Sequence, residues 1–145
     1  MKSSTIYYGI IPLGGSKMND YIINFLKEIM AIDSPSGYTK EVIHHCQKEA
    51  ENLGFHTHQT NKGNLEIYVE GQDDYTVGFC GHVDTLGLMV RSIKSDGTLA
   101  FTNVGGPIIP TLDGEYCRIH TRSGKCYTGT ILSNYPAVHV YKDAK

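Results

Sequence analysis

A chain of 145 residues with 13 basic and 15 acidic side chains carries a formal charge of −2, close to balance. That length suffices for a domain with a core of its own, and the balanced charge, without an Arg-rich run, argues against nucleic acid as a partner. The longest apolar stretches fall short of the ~20 residues that span a bilayer, so no membrane partner is expected either.

Residues 1–17 read as a loose extension. They hold Lys2 and an apolar run broken by Gly9 and Pro12, with no small-x-small cleavage site. Folded sequence is expected from Met18, where Asp20 can cap a helix running to about Ala31. Tyr21, Ile22, Phe25, Leu26, Ile29 and Met30 form its apolar face. The stretch Asp33-Ser34-Pro35-Ser36-Gly37 opposes continuation. Thr39 can then cap a second helix, with Val42, Ile43, Cys46, Ala50 and Leu53 turned inward and Gly54 as its stop. Strands are expected at about Phe55–Gln59 and Leu65–Glu70, on either side of Asn61-Lys62-Gly63-Asn64.

Most of the chemistry lies in Val77-Gly78-Phe79-Cys80-Gly81-His82-Val83-Asp84-Thr85-Leu86-Gly87. Thr76 to Cys80 reads as a short strand buried on both faces, delivering His82 and Asp84 where it ends. Open α/β sheets place ligands just beyond the carboxyl ends of their strands. An imidazole and a carboxylate two residues apart suit a metal ligand and the group that orients it, since a ligating histidine needs a partner on its other ring nitrogen. His82 is thus the candidate metal ligand and Asp84 its orienter.

Beyond Asp84 the texture changes. Strand-like runs recur at Leu88–Ile93, Thr98–Asn103, Glu115–Thr121 and Lys125–Leu132, with a possible further start at Val138, and no helical period appears. Short strands at this spacing point to a small β-barrel or sandwich. The fold class is α/β, with an α/β domain over residues 18–85 and part of a β-domain over 86–145.

The four cysteines are expected to be free. If Ser123-Gly124 is a two-residue loop, Cys126 faces Thr121 and Cys117 lies about 13 Å further along, beyond the ~7 Å a disulfide tolerates. Cys46 and Cys80 fall where a small hydrophobe fits. Free thiols suit a reducing cytoplasm. Other candidates have simpler readings: His56 and His58 as a solvated strand face, His44 and His45 as partly exposed helix positions, and His139 as a structural hydrogen-bonding group. Asp113 and Glu115 flank Gly114 in a turn signature. No Ser-His-Asp elbow, phosphate loop or His-Glu-x-x-His helix is present.

Ser36-Gly37-Tyr38, Asn61-Lys62-Gly63-Asn64-Leu65, Gly81 to Val90 and Gly97 to Phe101 occur in an order that is similar to a known pattern. Gly105-Gly106-Pro107, Leu112-Asp113-Gly114, Gly124-Lys125 and Pro136 to His139 continue it. From about residue 18 onward the chain resembles the N-terminal portion of the tetrahedral, cocatalytic metal aminopeptidases, which include glutamyl aminopeptidases and proteins once labelled endoglucanases. It departs at Val83 and Thr85, where members often have methionine and glutamate.

The resemblance implies a metallo-aminopeptidase α/β domain followed by part of a small β-barrel dimerisation domain. It implies two divalent ions per site (zinc, cobalt or manganese), of which His82 would bind one, with Asp84 orienting that site. Short peptides would be substrates, and self-association would run through the β-domain. The remaining ligands and the catalytic glutamate come from later sequence in that family, so this chain by itself is expected to be inactive. A non-catalytic oligomerisation module is the alternative. An endoglucanase-like glycoside hydrolase is a weaker one, because that reaction needs two carboxylates flanking the scissile bond and no convincing pair is present.

Overall fold

The computed structural model describes residues 15–134 and 139–140. They fall into two compact units, one reaching to Gly105 and one beginning at Gly106. The contacts therefore group the strands just after residue 86 with the helices, rather than dividing the chain where its texture changes.

The first unit opens with α1 (Gly15–Ala31) and α2 (Lys40–Asn52). Helix α1 is already formed at Gly15, so Asp20 lies inside it and not at its cap. No breaker stands between Gly15 and Asp20, and a helix once nucleated adds one hydrogen bond per residue. Residues 15–17 thus belong to the helix, and the rest of the expected extension lies outside the described residues. Thr39 does precede α2, but its side chain makes no capping hydrogen bond. The other end follows the expected chemistry. Gly54 adopts φ +86°, its N–H bonds the Glu51 carbonyl, and the Phe55 N–H bonds that of Ala50. This is the Schellman arrangement, which satisfies the last carbonyls and turns the chain out of the helix.

Helix α1 meets α2 through polar and aromatic pairs. Tyr21 Oη donates to Glu49 Oε1 at 2.7 Å, Phe25 stacks on the His45 ring at a 5.7 Å centroid distance, and His45 Nε2 lies 3.1 Å from Glu28 Oε2. The dry interior is small. Val42 and Ala50 are its buried apolar residues among those described, and Ser34 is a buried polar one.

Three antiparallel hairpins follow: β1 (His56–Gln59) with β2 (Leu65–Tyr68), β3 (Gly87–Ile93) with β4 (Leu99–Val104), and, in the second unit, β5 (Tyr116–His120) with β6 (Cys126–Thr130). All three close alike. Thr60, Lys94 and Thr121 each bond across to Asn64, Thr98 and Lys125, leaving loops whose third residue is Gly63, Gly97 or Gly124 at φ between +80° and +87°. A three-residue hairpin loop places its last residue in the left-handed region, which glycine enters without cost. The Ser123-Gly124 loop is consequently three residues long, not two, and Cys126 pairs with His120. Cys117 still lies three residues beyond that partner, about 10 Å along the strand, and all four cysteines are free.

Among the described residues each sheet has two strands, so the β segment is present as separate hairpins. The possible strand at Val138 lies outside the described residues. The larger departure from expectation is Thr76–Cys80, which forms no ladder and is exposed, Phe79 by 96%. A strand buried on both faces needs neighbours to take its N–H and C=O groups and layers to cover it. No described strand stands beside this one.

Candidate functional site

The site is built around a clamp between two loops. Helix α1 stops before Asp33, and the chain turns at Pro35–Tyr38, where the Tyr38 N–H bonds the Pro35 carbonyl at 2.7 Å and Gly37 takes φ +87°. This turn presents Ser34, Pro35 and Ser36 to the segment carrying His82 and Asp84. Pro35 and Thr85 form a parallel bridge, and the Thr85 N–H bonds the Ser34 carbonyl at 2.8 Å. The Ser34 hydroxyl donates to the Val83 carbonyl at 3.0 Å. The backbone is therefore held on both sides of Asp84.

Within the clamp, His82 Nδ1 lies 3.1 Å from Asp84 Oδ1 and 3.2 Å from the Asp84 carbonyl oxygen. Both neighbours are acceptors without a proton of their own, so the shared hydrogen belongs on Nδ1. In the neutral ring the lone pair then resides on Nε2. The other carboxylate oxygen, Oδ2, accepts a short hydrogen bond from the Ser36 hydroxyl. That bond holds the Asp84 carboxyl below the usual range, against the opposing effect of desolvation.

The His82 side chain is 84% exposed and that of Asp84 38%. They lie at the lip of a cleft of about 660 Å3 whose walls include Phe25, Cys46, Glu49, Asn64 and Leu65. Burial pushes the Cys46 thiol up from its ordinary range. Among the described residues no three His, Cys, Asp or Glu side chains gather in a way that would hold a cation. One imidazole with a free Nε2 lone pair and an anchored carboxylate behind it suits a single corner of a metal centre.

The remaining candidates are not drawn into this site. His56 and His58 sit on the exposed face of β1, and His45 is engaged with Phe25 and Glu28. Asp113 and Glu115 belong to a turn: Gly114 has φ +86°, the Glu115 N–H bonds the Leu112 carbonyl, and Asp113 Oδ1 accepts the Ser133 N–H at 2.6 Å. His139 is an exposed turn residue. Sequence reasoning missed Ser34 and Ser36 as parts of the site. Both stand in a stretch that reads first as a helix breaker.

Residues 63–145 match the family model described as M42 glutamyl aminopeptidase. The chain belongs to the M42 glutamyl aminopeptidase family. This M42 chain is 43% identical over 123 residues to a Bacillus subtilis (strain 168) protein named "Putative aminopeptidase YhfE", a match covering 84% of the chain and 36% of that relative. Among solved structures it is similar to the TET aminopeptidase from a marine sediment archaeon, Thaumarchaeota archaeon SCGC AB-539-E09. That match has a TM-score of 0.75 and 27% identity, and covers 84% of the chain and 34% of that structure. The M42 chain thus spans about a third of the length of these relatives. Its mixed helix and strand fold is that of a TET aminopeptidase in part. No described helix is long and apolar enough to cross a membrane.

Proposed function

We propose that this chain forms the His82–Asp84 corner of a two-metal aminopeptidase site, which releases N-terminal residues from short peptides once the protein has the length of its M42 relatives. The observation that carries this reading is His82, with Nδ1 tied to Asp84 and Nε2 without a hydrogen-bond partner among the described residues, at a cleft lip in a chain of a peptidase family. A zinc, cobalt or manganese ion held there would supply Lewis acidity and an acidified water. His82 would donate through Nε2. Asp84 would fix the tautomer and raise the basicity of the ring, and the Ser34–Pro35 backbone would keep the pair at the lip. One imidazole does not hold two cations, because tight binding of divalent ions needs several prearranged ligands. The chain alone is therefore expected to be inactive, with the other ligands and the base supplied by the two thirds of the relatives' length that it does not span. Its free cysteines support a cytoplasmic setting.

The test is hydrolysis of aminoacyl-nitroanilides with added cobalt or zinc, by this chain and by the protein at the relatives' length. The longer protein should turn over, lose activity to a chelator and lose it in His82→Gln, while the short chain stays silent. Robust turnover by the short chain would defeat the account of the missing ligands. An inactive, metal-loaded longer protein would defeat the peptidase reading.

One observation favours a second role beside this one. On β3, Met89, Val90 and Ile93 are all exposed. Apolar side chains left in water on a strand support self-association through the β-hairpins. Sedimentation of the longer protein with Ile93→Lys tests it, and an unchanged oligomer would remove that role.

A further inference from the structure

We infer that Ser36 is a positioning residue for the His82–Asp84 pair, acting through the carboxylate to keep the imidazole in the tautomer whose lone pair lies on Nε2. The inference rests on the reading of His82 as a metal ligand.

The argument starts from the freedom of Asp84. Its side chain is more than a third exposed, so a carboxylate bonded only through Oδ1 can rotate about its own single bonds and exchange the imidazole for water. Oδ2 is where that rotation can be stopped, and the group found there is the Ser36 hydroxyl, 48 residues away in sequence. Ser36 is itself fixed. It stands at the corner of a turn set by the Tyr38 N–H on the Pro35 carbonyl and by Gly37 at φ +87°. The two backbones cannot slide past one another, because Ser34 bonds Val83 through its hydroxyl and Thr85 through its carbonyl. Both oxygens of Asp84 thus have one assigned partner, with Oδ1 facing the ring and Oδ2 facing the serine.

The consequence is chemical. Free neutral imidazole carries its proton on either nitrogen. With Oδ1 and the Asp84 carbonyl both facing Nδ1, the proton is held there and Nε2 keeps its lone pair. If Oδ2 loses its anchor, the carboxylate swings and the Nε2–H form gains population. That form offers a cation an N–H where a lone pair is needed. The Ser36 hydroxyl touches neither ring nor metal, and its effect passes through Asp84.

The experiment reads the tautomer directly. Two-bond 1H–15N spectra of this chain without metal, with the His82 signals assigned by comparison with His82→Gln, should show the Nδ1–H pattern in the wild type. Ser36→Ala should show a mixture, and Ser36→Thr, which keeps a hydroxyl, should return it toward the wild-type pattern. In the protein at the relatives' length, Ser36→Ala should weaken zinc binding about tenfold, at the low end of what losing a partner behind a metal ligand costs. Retention of the wild-type tautomer in a folded Ser36→Ala chain overturns the inference. Should that variant not fold, Ser36→Gly removes the same hydroxyl and is judged by the same spectrum. A shifted tautomer with no metal-dependent peptidase activity in the longer protein sinks the peptidase reading alone. An active enzyme with an unshifted tautomer sinks only the role of Ser36.

Discussion

Gly87 lies so close to Pro35 that a β-carbon built on it would stand 2.5 Å from the proline Cβ. The proline in the turn after α1 is therefore also a wall against which the His82–Thr85 segment is pressed, and only a residue without a side chain lets β3 begin there. Gly87→Ala must push Pro35 and Thr85 apart. Overpacking of this kind costs about 1–3 kcal/mol. A urea midpoint lowered to match is the expected result, with loosening of the Ser34–Thr85 hydrogen bond seen as faster exchange of the Thr85 amide. An unchanged midpoint and amide would mean that the two loops separate without resistance.

Tyr21 provides a pH test of the contact between α1 and α2. Burial, and then the hydrogen bond to Glu49, raise its pKa from 10.0 to about 12. A raised folded-state value means that the neutral phenol is favoured by folding. The corresponding stability is fully present below pH 10 and is lost as pH climbs from there toward about 12. Denaturant unfolding followed across that window should show a decline that Tyr21→Phe abolishes. At neutral pH the same substitution should cost about 1 kcal/mol for the lost hydrogen bond. An equal alkaline decline in both proteins would assign it to other tyrosines.

What could be read from the sequence follows from how local its cause is. The stop at Gly54 and the three hairpins depend on residues within one turn of each other, and there the chemistry of glycine, asparagine and serine determines the backbone. His82 and Asp84 were visible as a pair because they are two residues apart. Ser36 was not visible as their partner, since the bond joining it to Asp84 spans 48 residues and no local pattern encodes it. The strand expected at Thr76–Cys80 fails for the same reason in reverse. Its apolar composition describes an environment of neighbouring strands and covering layers, which no described residue supplies. The start of α1 at Gly15 is not legible at Asp20, because an aspartate is as compatible with a helix interior as with a cap.

The hairpin glycines allow a quantitative comparison. Gly63, Gly97 and Gly124 share the left-handed conformation, and a Cβ on any of them would meet open space. Substitution by alanine therefore measures backbone strain alone, about 1–2 kcal/mol for an L-residue held there. Gly63→Ala and Gly97→Ala should lower the stability of the unit that reaches to Gly105, and Gly124→Ala that of the unit beginning at Gly106. Asparagine, which tolerates this region better, should recover part of each loss. Thermal unfolding of the six variants checks it. Equal cost for asparagine and alanine would show that the loops relax to another turn.

Tyr75, Val77 and Phe79 stand at alternate positions of one segment and are all exposed. Among the described residues the segment's own N–H and C=O groups have no ladder partner. Apolar side chains beside unpaired backbone make a template for pairing with another chain. This chain should therefore self-associate as its concentration rises, with light scattering reporting species larger than 16.0 kDa. Phe79→Lys removes the most exposed ring and puts a charge in its place. Burial of such a side chain is worth roughly 1.5–3 kcal/mol, so association should weaken about tenfold to a hundredfold. In the protein at the relatives' length, the same residues should be covered and their amides slow to exchange, so that Phe79→Lys there would impair folding rather than improve solubility. A short chain that stays monomeric with or without Phe79 would show that this segment is not the surface that seeks a partner.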